Sequence, residues 1–139
     1  MTTLTAAKHI LVCDDDDDIL EMVEHILNRA GYSVAKAHRY SEFMDRFHET
    51  KPDLILLDVQ MPEHDGFWIA ERLPGSERIP IIFITAHDRP IYRLCAPIVG
   101  AEDYVAKPFE PEDLLARIEK ALHPRRKLSS RRFFDVLGD

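Results

Sequence analysis

The feature that most constrains this chain is the apolar run Leu54-Ile55-Leu56-Leu57, which ends in a carboxylate, Asp58, and is bracketed by Pro52 and Pro62. A run this short and this apolar is typical of a strand buried on both faces of a parallel sheet. An ionised carboxylate at the end of such a strand is costly to desolvate unless a cation, a donor or solvent meets it. Because sites in open α/β sheets lie at the carboxyl ends of strands, Asp58 is the first candidate site residue.

The same alternation of apolar runs and helical periodicity recurs along the whole chain and predicts five strand–helix units. The predicted strands cover residues 9–13, 32–37, 54–58, 80–85 and 103–107, and the predicted helices lie in residues 19–30, 41–47, 65–74, 90–100 and 111–122. Parallel strands need right-handed helical crossovers, so this order predicts a doubly wound, five-stranded parallel sheet with helices on both faces.

Local signals bound several of these helices. Gly31 suits a C-terminal cap for the first helix, Ser41 is the expected N-cap of the second, and Pro111 suits the first position of the last. The third helix should begin at Asp65-Gly66 and be stopped by Pro74-Gly75, which leaves about two turns.

Pro97 lies inside the predicted fourth helix. A proline there removes a backbone donor and clashes with the preceding turn, at about 3 kcal/mol or more. We therefore expect the segment 90–100 to be short, irregular or mobile, with its helix ending or kinking near Cys95.

Composition excludes several classes of protein. At 139 residues the chain is long enough for one domain, and no apolar stretch approaches the roughly 18 to 20 residues needed to cross a bilayer. The N-terminus lacks an apolar signal core, and neither cysteine has a zinc or CxxC spacing, so we expect a cytoplasmic protein with no membrane contact. The net charge is −7 although residues 124–139 are basic, so the body, residues 1–123, is acidic and should not bind nucleic acid directly.

Polar residues stand at or just beyond four of the predicted strand ends. They are Asp14 and Asp15 after the first strand, Asp58 at the end of the third, Thr85 at the end of the fourth and Lys107 at the end of the fifth. All of them should meet on one edge of the sheet, where three carboxylates repel one another. Hard oxygen ligands with room for water suit Mg²⁺, so we expect a magnesium site there.

Four motifs carry a family resemblance: Cys13-Asp14-Asp15, the run from Leu57-Asp58-Val59 to His64-Asp65-Gly66, Ile84-Thr85-Ala86, and Tyr104-Val105-Ala106-Lys107-Pro108-Phe109. In order and spacing they resemble the receiver domain of two-component response regulators, a flavodoxin-like (βα)5 fold. The resemblance covers roughly residues 8–122, with residues 124–139 left as a basic tail or linker.

The resemblance implies a phosphorylation-dependent switch rather than an enzyme that acts on other molecules. Asp58 would accept a phosphoryl group from a sensor histidine kinase or a histidine phosphotransfer protein. Mg²⁺ would be held by Asp14, Asp15, Asp58 and the backbone carbonyl of Gln60, and Lys107 would pair with a phosphoryl oxygen.

The resemblance also implies how the signal is read. The Thr85 hydroxyl would move to the phosphoryl group and Tyr104 would follow into the space it leaves. The residues two beyond Asp58 and two beyond Thr85, which are Gln60 and His87, would set the lifetime of the phosphoryl group. The Lys107-Pro108 bond is typically cis in this family.

Several alternatives stay open from the sequence. Asp16, Asp17 and Asp18 are read as a solvated helix N-terminus, where anions favour the macrodipole. The chain could be a degenerate receiver that binds partners without phosphorylation, or a haloacid-dehalogenase-like phosphatase, although the second acid of that class would fall on Gln60. The basic tail could be a linker or a docking segment, homodimerisation is undecided, and the downstream effector is unknown.

Overall fold

A computed structural model describes residues 7–73 and 79–123 of the chain. Strands and helices alternate in ten elements, which are β1 (His9–Cys13), α1 (Asp17–Arg29), β2 (Ser33–Ala37), α2 (Tyr40–Thr50), β3 (Leu54–Asp58), α3 (Gly66–Glu71), β4 (Ile81–Thr85), α4 (Pro90–Ile98), β5 (Asp103–Ala106) and α5 (Pro111–Leu122).

The five strands form one parallel sheet in the order β2-β1-β3-β4-β5. Alternate residues of each strand enter opposite cores, as the pleat requires. Leu11, Leu57 and Phe83 pack with α2, α3 and α4 on one face, whereas Ile10, Leu56 and Ile82 pack with α1 and α5 on the other. All five residues of β3 are buried, so the doubly wound architecture predicted from this apolar strand is confirmed.

The first helix lies within two residues of its predicted bounds, but its buried residues only partly match the predicted apolar stripe, which is Ile19, Met22, Val23, Ile26, Leu27 and Ala30. The Asp16 carboxylate caps α1 by accepting from the backbone N–H groups of Asp18 and Ile19, which confirms the helix N-terminus expected at the acidic run. The buried residues are Leu20, Val23 and Leu27, whereas Met22, which the apolar periodicity includes, is 42% exposed.

The second helix begins two residues earlier than a Ser41 N-cap would place it. Its N-cap is Arg39, whose side chain makes no capping bond, and Ser41 lies within the first turn, so the prediction of a Ser41 cap was wrong. Glu42 accepts instead from the backbone N–H of His38 at 2.8 Å. Its carboxylate thus pairs with a free backbone N–H at the start of the helix, the role expected of a capping side chain.

The fourth helix is short, with nine residues, but it does not end near Cys95 as the proline predicted. It continues through Pro97 to Ile98 because the proline stands in the last turn, where few turns remain to be broken. The N–H groups of Val99 and Gly100 donate to the carbonyls of Cys95 and Pro97 and complete the helix end. Gly100, at φ +88°, takes the left-handed conformation there.

Two other helix signals are confirmed, and two predicted features cannot be compared with the structure. Gly31 has φ +96° just beyond α1, and Pro111 occupies the first turn of α5. The Pro74-Gly75 stop and the tail 124–139 lie outside the described residues. No helix in residues 7–73 and 79–123 is long and apolar enough to cross a membrane.

Candidate functional site

The sheet register brings the predicted polar residues to one edge. Cys13 of β1 is paired with Leu57 of β3, and Asp58 is paired with Ile84 of β4, so Asp14 and Asp58 end neighbouring strands at nearly the same height. Thr85 is paired with Ala106 of β5, which places Lys107 directly beyond it. The carboxyl ends of four neighbouring strands therefore supply the five predicted polar residues.

Three carboxylates form the centre of the site. Asp14, Asp15 and Asp58 each offer one oxygen, and these oxygens all lie within 4.8 Å of one another. Asp14 is fully buried and Asp58 is 4% exposed, whereas Asp15 faces solvent. The cluster is thus closed from below by the sheet and open on the side of Asp15.

Lys107 reaches this cluster from β5. Its ammonium donates to Asp14 Oδ2 at 2.7 Å and lies 3.8 Å from Asp58 Oδ1. The ammonium is therefore bonded mainly to Asp14, and the Asp58 carboxylate is the less compensated of the two buried acids.

The electrostatics of the site reflect this imbalance. Burial, followed by the neighbouring Asp14 carboxylate, raises the pKa of Asp58 to about 7, against the opposing effect of Lys107. Burial and the same carboxylates also raise the pKa of the Cys13 thiol, which keeps it protonated and inert.

The donor set fits a divalent cation. Three carboxylates face a single ammonium, and a hard cation with oxygen ligands would relieve the repulsion that raises the Asp58 pKa. Asp15, exposed at the open side, leaves room for the waters that Mg²⁺ retains.

Thr85 is fully buried at the end of β4, beside the lysine loop. Its hydroxyl oxygen accepts from the backbone N–H of His87 at 3.0 Å, and its carbonyl accepts from the backbone N–H of Lys107 at 2.7 Å. The Lys107-Pro108 peptide bond is cis, as predicted. The His87 side chain is exposed above Thr85.

Tyr104 lies in β5 with its ring buried, at 7% exposed. The guanidinium of Arg93, from α4, covers this ring at 4.7 Å from its centroid. Asp88 holds Arg93 in place through two hydrogen bonds of 2.8 Å each. No sequence pattern predicts this cover, because Asp88, Arg93 and Tyr104 come from different segments of the chain.

Gln60 has a partner that the sequence did not reveal. Its side-chain amide donates to the hydroxyl of Tyr92 in α4 at 2.7 Å, which links the loop after β3 to the next helix but one. Helical spacing places Tyr92 in α4, but only the sheet order brings that helix beside Gln60.

The backbone beneath Asp58 is set by a close approach of α3. Gly66 donates its N–H to the carbonyl of Val59 at 2.7 Å. A Cβ on Gly66 would lie 2.4 Å from the carbonyl oxygen of Asp58, well inside van der Waals contact. Only glycine allows the helix to start this close to the strand end.

Comparison with known proteins agrees with these observations. The family model described as response regulator receiver domain matches residues 10–119. The transcriptional regulatory protein GltR of Pseudomonas aeruginosa is 39% identical over 134 residues, which cover 94% of this chain and 55% of that protein. The probable transcriptional regulator ycf27 of Guillardia theta is 35% identical, over 89% of this chain and 49% of that protein. The chain thus spans about half the length of these curated relatives.

Solved structures give the same answer for the fold. The chemotaxis protein CheY4 of Vibrio cholerae is similar with a TM-score of 0.79 and 32% identity, over 84% of this chain and 100% of that one. The BeF3-activated N-terminal receiver domain of RstA from Klebsiella pneumoniae has a TM-score of 0.78 and 29% identity, over 83% of this chain and 98% of that one.

The matched region contains β1 except its first residue, β2 to β5 and most of α5, and with them the whole acidic edge of the sheet. Receiver domains are regulatory domains of two-component systems; they bind Mg²⁺ at an acidic pocket and interact with histidine kinases and downstream effectors. This chain belongs to the response regulator receiver domain family.

Proposed function

We propose that this domain is a signalling switch that accepts a phosphoryl group on Asp58 from the phosphohistidine of a sensor histidine kinase or a histidine phosphotransfer protein. The observation that carries the proposal is the buried Asp58 carboxylate, less compensated than Asp14, at the centre of an acidic edge that also holds Lys107.

The transfer is a displacement at phosphorus. An Asp58 carboxylate oxygen forms the new O–P bond as the N–P bond of the phosphohistidine breaks, and the bonding pair remains on the imidazole nitrogen. The Lys107 ammonium, 3.8 Å from Asp58 Oδ1, can bind an oxygen of the incoming group without leaving the site. Positioning and neutralisation of charge account for most of the catalysis of such transfers.

We assign the metal ligands to Asp14, Asp15, Asp58 and the backbone carbonyl of Gln60. Bound Mg²⁺ supplies positive charge that offsets the repulsion between phosphoryl and carboxylate oxygens. Asp14 is aligned for this role by its own contacts, since Oδ1 accepts from the backbone N–H of Asp16 at 3.0 Å and Oδ2 accepts from Lys107.

We further propose that Thr85 and Tyr104 transmit the change. The phosphoryl group adds about two negative charges at the end of β3. The Thr85 hydroxyl, which now donates to the His87 carbonyl at 3.4 Å, would then donate to a phosphoryl oxygen instead. Tyr104 is already buried, so we expect its movement to displace Arg93 first, because the Arg93 guanidinium covers the ring from α4. The output would be a changed interaction surface for a cytoplasmic effector.

The test is intact mass after incubation with Mg²⁺ and acetyl phosphate. The native chain should gain one phosphoryl group, Asp58→Asn none, and Asp45→Asn, which removes an exposed acid from α2, the same as the native chain. No uptake by the native chain would contradict the proposal and favour a degenerate receiver. Steady release of phosphate from unrelated phosphoesters would favour a phosphatase instead.

A further inference from the structure

We propose that Tyr92 is a positioning residue that holds the Gln60 side chain across the mouth of the phosphorylation site and thereby lengthens the life of the acyl phosphate. The proposal rests on the proposed function, because it concerns the hydrolysis of a phosphoryl group on Asp58.

Gln60 stands two residues beyond Asp58, and its side-chain N–H donates to the phenol oxygen of Tyr92 at 2.7 Å. The side chain itself is exposed, so without this bond it would be free to sample several rotamers in solvent. Among the described residues, the His87 ring on the other flank makes no hydrogen bond of this kind. Of these two flanking side chains, therefore, only that of Gln60 is held by a side-chain hydrogen bond.

Tyr92 is a firm anchor because its ring is packed. The ring lies 5.7 Å from that of Phe67 in α3, which in turn meets the buried ring of Phe83 edge-on at 4.8 Å. The Arg89 guanidinium lies 5.7 Å from the Tyr92 ring centroid on the helix side. The hydroxyl position is therefore set by the core of the α3 and α4 face rather than by solvent.

The bond matters for hydrolysis because water must reach the phosphorus. In that reaction a water oxygen forms a bond to phosphorus, the bond between phosphorus and the Asp58 oxygen breaks with its electron pair left on the carboxylate, and the water proton passes to the released phosphate. A Gln60 side chain held toward α4, two residues beyond Asp58, would restrict one direction from which water can approach the Asp58 carboxylate. Loss of the bond to Tyr92 should free that side chain and so increase the rate at which water reaches the phosphorus.

Tyr92→Phe tests this inference, since it removes only the hydroxyl and keeps the ring packed on Phe67. We expect phosphoryl uptake to persist and the acyl phosphate to decay about fivefold faster, the factor that corresponds to one ordinary hydrogen bond. Ile91→Ala, an exposed neighbour in α4, is the matched control and should decay at the native rate.

A double-mutant cycle distinguishes positioning from a general disturbance of α4. In a Gln60→Ala chain, which should itself decay faster than the native chain, Tyr92→Phe should add no further acceleration. An equal acceleration with and without the Gln60 side chain would overturn the inference, as would a native decay rate in Tyr92→Phe.

The unphosphorylated protein offers a second readout. The side-chain amide resonances of Gln60 should move toward those of a free glutamine in Tyr92→Phe, while urea unfolding midpoints stay close to native. Unchanged amide resonances would overturn the inference. Failure of the native chain to take up phosphate would overturn the proposed function and this inference with it, whereas uptake with unaltered decay would overturn this inference alone.

Discussion

At the scale of the single residue, Gly66 sets where the Asp58 backbone lies. The helix starts so close to the strand that a methyl group would occupy the space of the Asp58 carbonyl oxygen, 2.4 Å away. The neighbour is backbone at the end of a fully buried strand, so neither side can give way cheaply.

We therefore expect Gly66→Ala to destabilise the domain by about 1–3 kcal/mol and to slow phosphoryl uptake by moving Asp58. Urea unfolding and the rate of mass gain with acetyl phosphate measure the two effects. Gly31→Ala is the control: its Cβ would meet nothing within 4 Å, but φ is +96°, so it should cost about 1 kcal/mol and leave uptake unchanged. A native rate of uptake in Gly66→Ala would show that this contact does not govern Asp58.

At the scale of the elements, His38 joins the N-termini of α1 and α2. Its Nε2 pairs with Asp17 and its Nδ1 with Glu42 at 2.9 Å, while Arg39 also contacts Glu42 at 3.1 Å. The bond to Glu42, then that to Asp17, raises the pKa of His38 above its usual 6.5, against the smaller opposing effect of burial. The backbone N–H of His38, followed by its ring, lowers the pKa of Glu42.

The sign of the pH dependence follows from these directions. A raised pKa means that protonated His38 stabilises the fold fully below its unfolded pKa, and that this contribution is lost as pH rises through the folded pKa. Urea unfolding should therefore show a larger deficit for His38→Gln at about pH 6 than at about pH 9. His25→Gln, which removes an exposed histidine of α1, is the matched control. A deficit that is equal at both pH values would contradict the role of the protonated ring.

Much of the element pattern could be predicted from the sequence, because apolar strands and Gly and Pro signals act locally. All five strands were predicted within one or two residues of their observed bounds. The errors arose where a longer contact replaced a local signal. Glu42 reaches back to His38 and makes a Ser41 cap unnecessary, and the position of Pro97 in the last turn of α4 removes most of its cost.

The same division applies to the candidate site. The residues at strand ends could be predicted from strand boundaries alone, because parallel strands share one carboxyl edge. The Gln60–Tyr92 bond, the Arg93 cover over Tyr104 and the His38 bridge could not, because each joins side chains whose distance is decided by helix packing.

At the scale of the whole molecule, the three carboxylates of the acidic edge repel one another, and a bound cation would reduce that repulsion. Without metal, Asp58→Asn should stabilise the domain at neutral pH, since it removes the less compensated carboxylate. Mg²⁺ should raise the free energy of unfolding of the native chain by about 2.7 kcal/mol at 100 times its Kd, and should raise that of Asp15→Asn less. Excess chelator should reverse the shift. An equal rise in both chains would mean that the ion binds elsewhere.

The Lys107–Asp14 pair determines when, during synthesis of the chain, the charges of the site are complete. The two residues are 93 positions apart, yet their side chains meet at 2.7 Å. A growing chain on the ribosome exposes the complete acidic cluster well before the lysine that balances it has been synthesised. In an unfinished chain Asp14 and Asp58 therefore lack Lys107, their only ammonium partner among the described residues, and the strand that precedes it. If Asp58 accepts a phosphoryl group as proposed, chains that still lack β5 should accept it poorly.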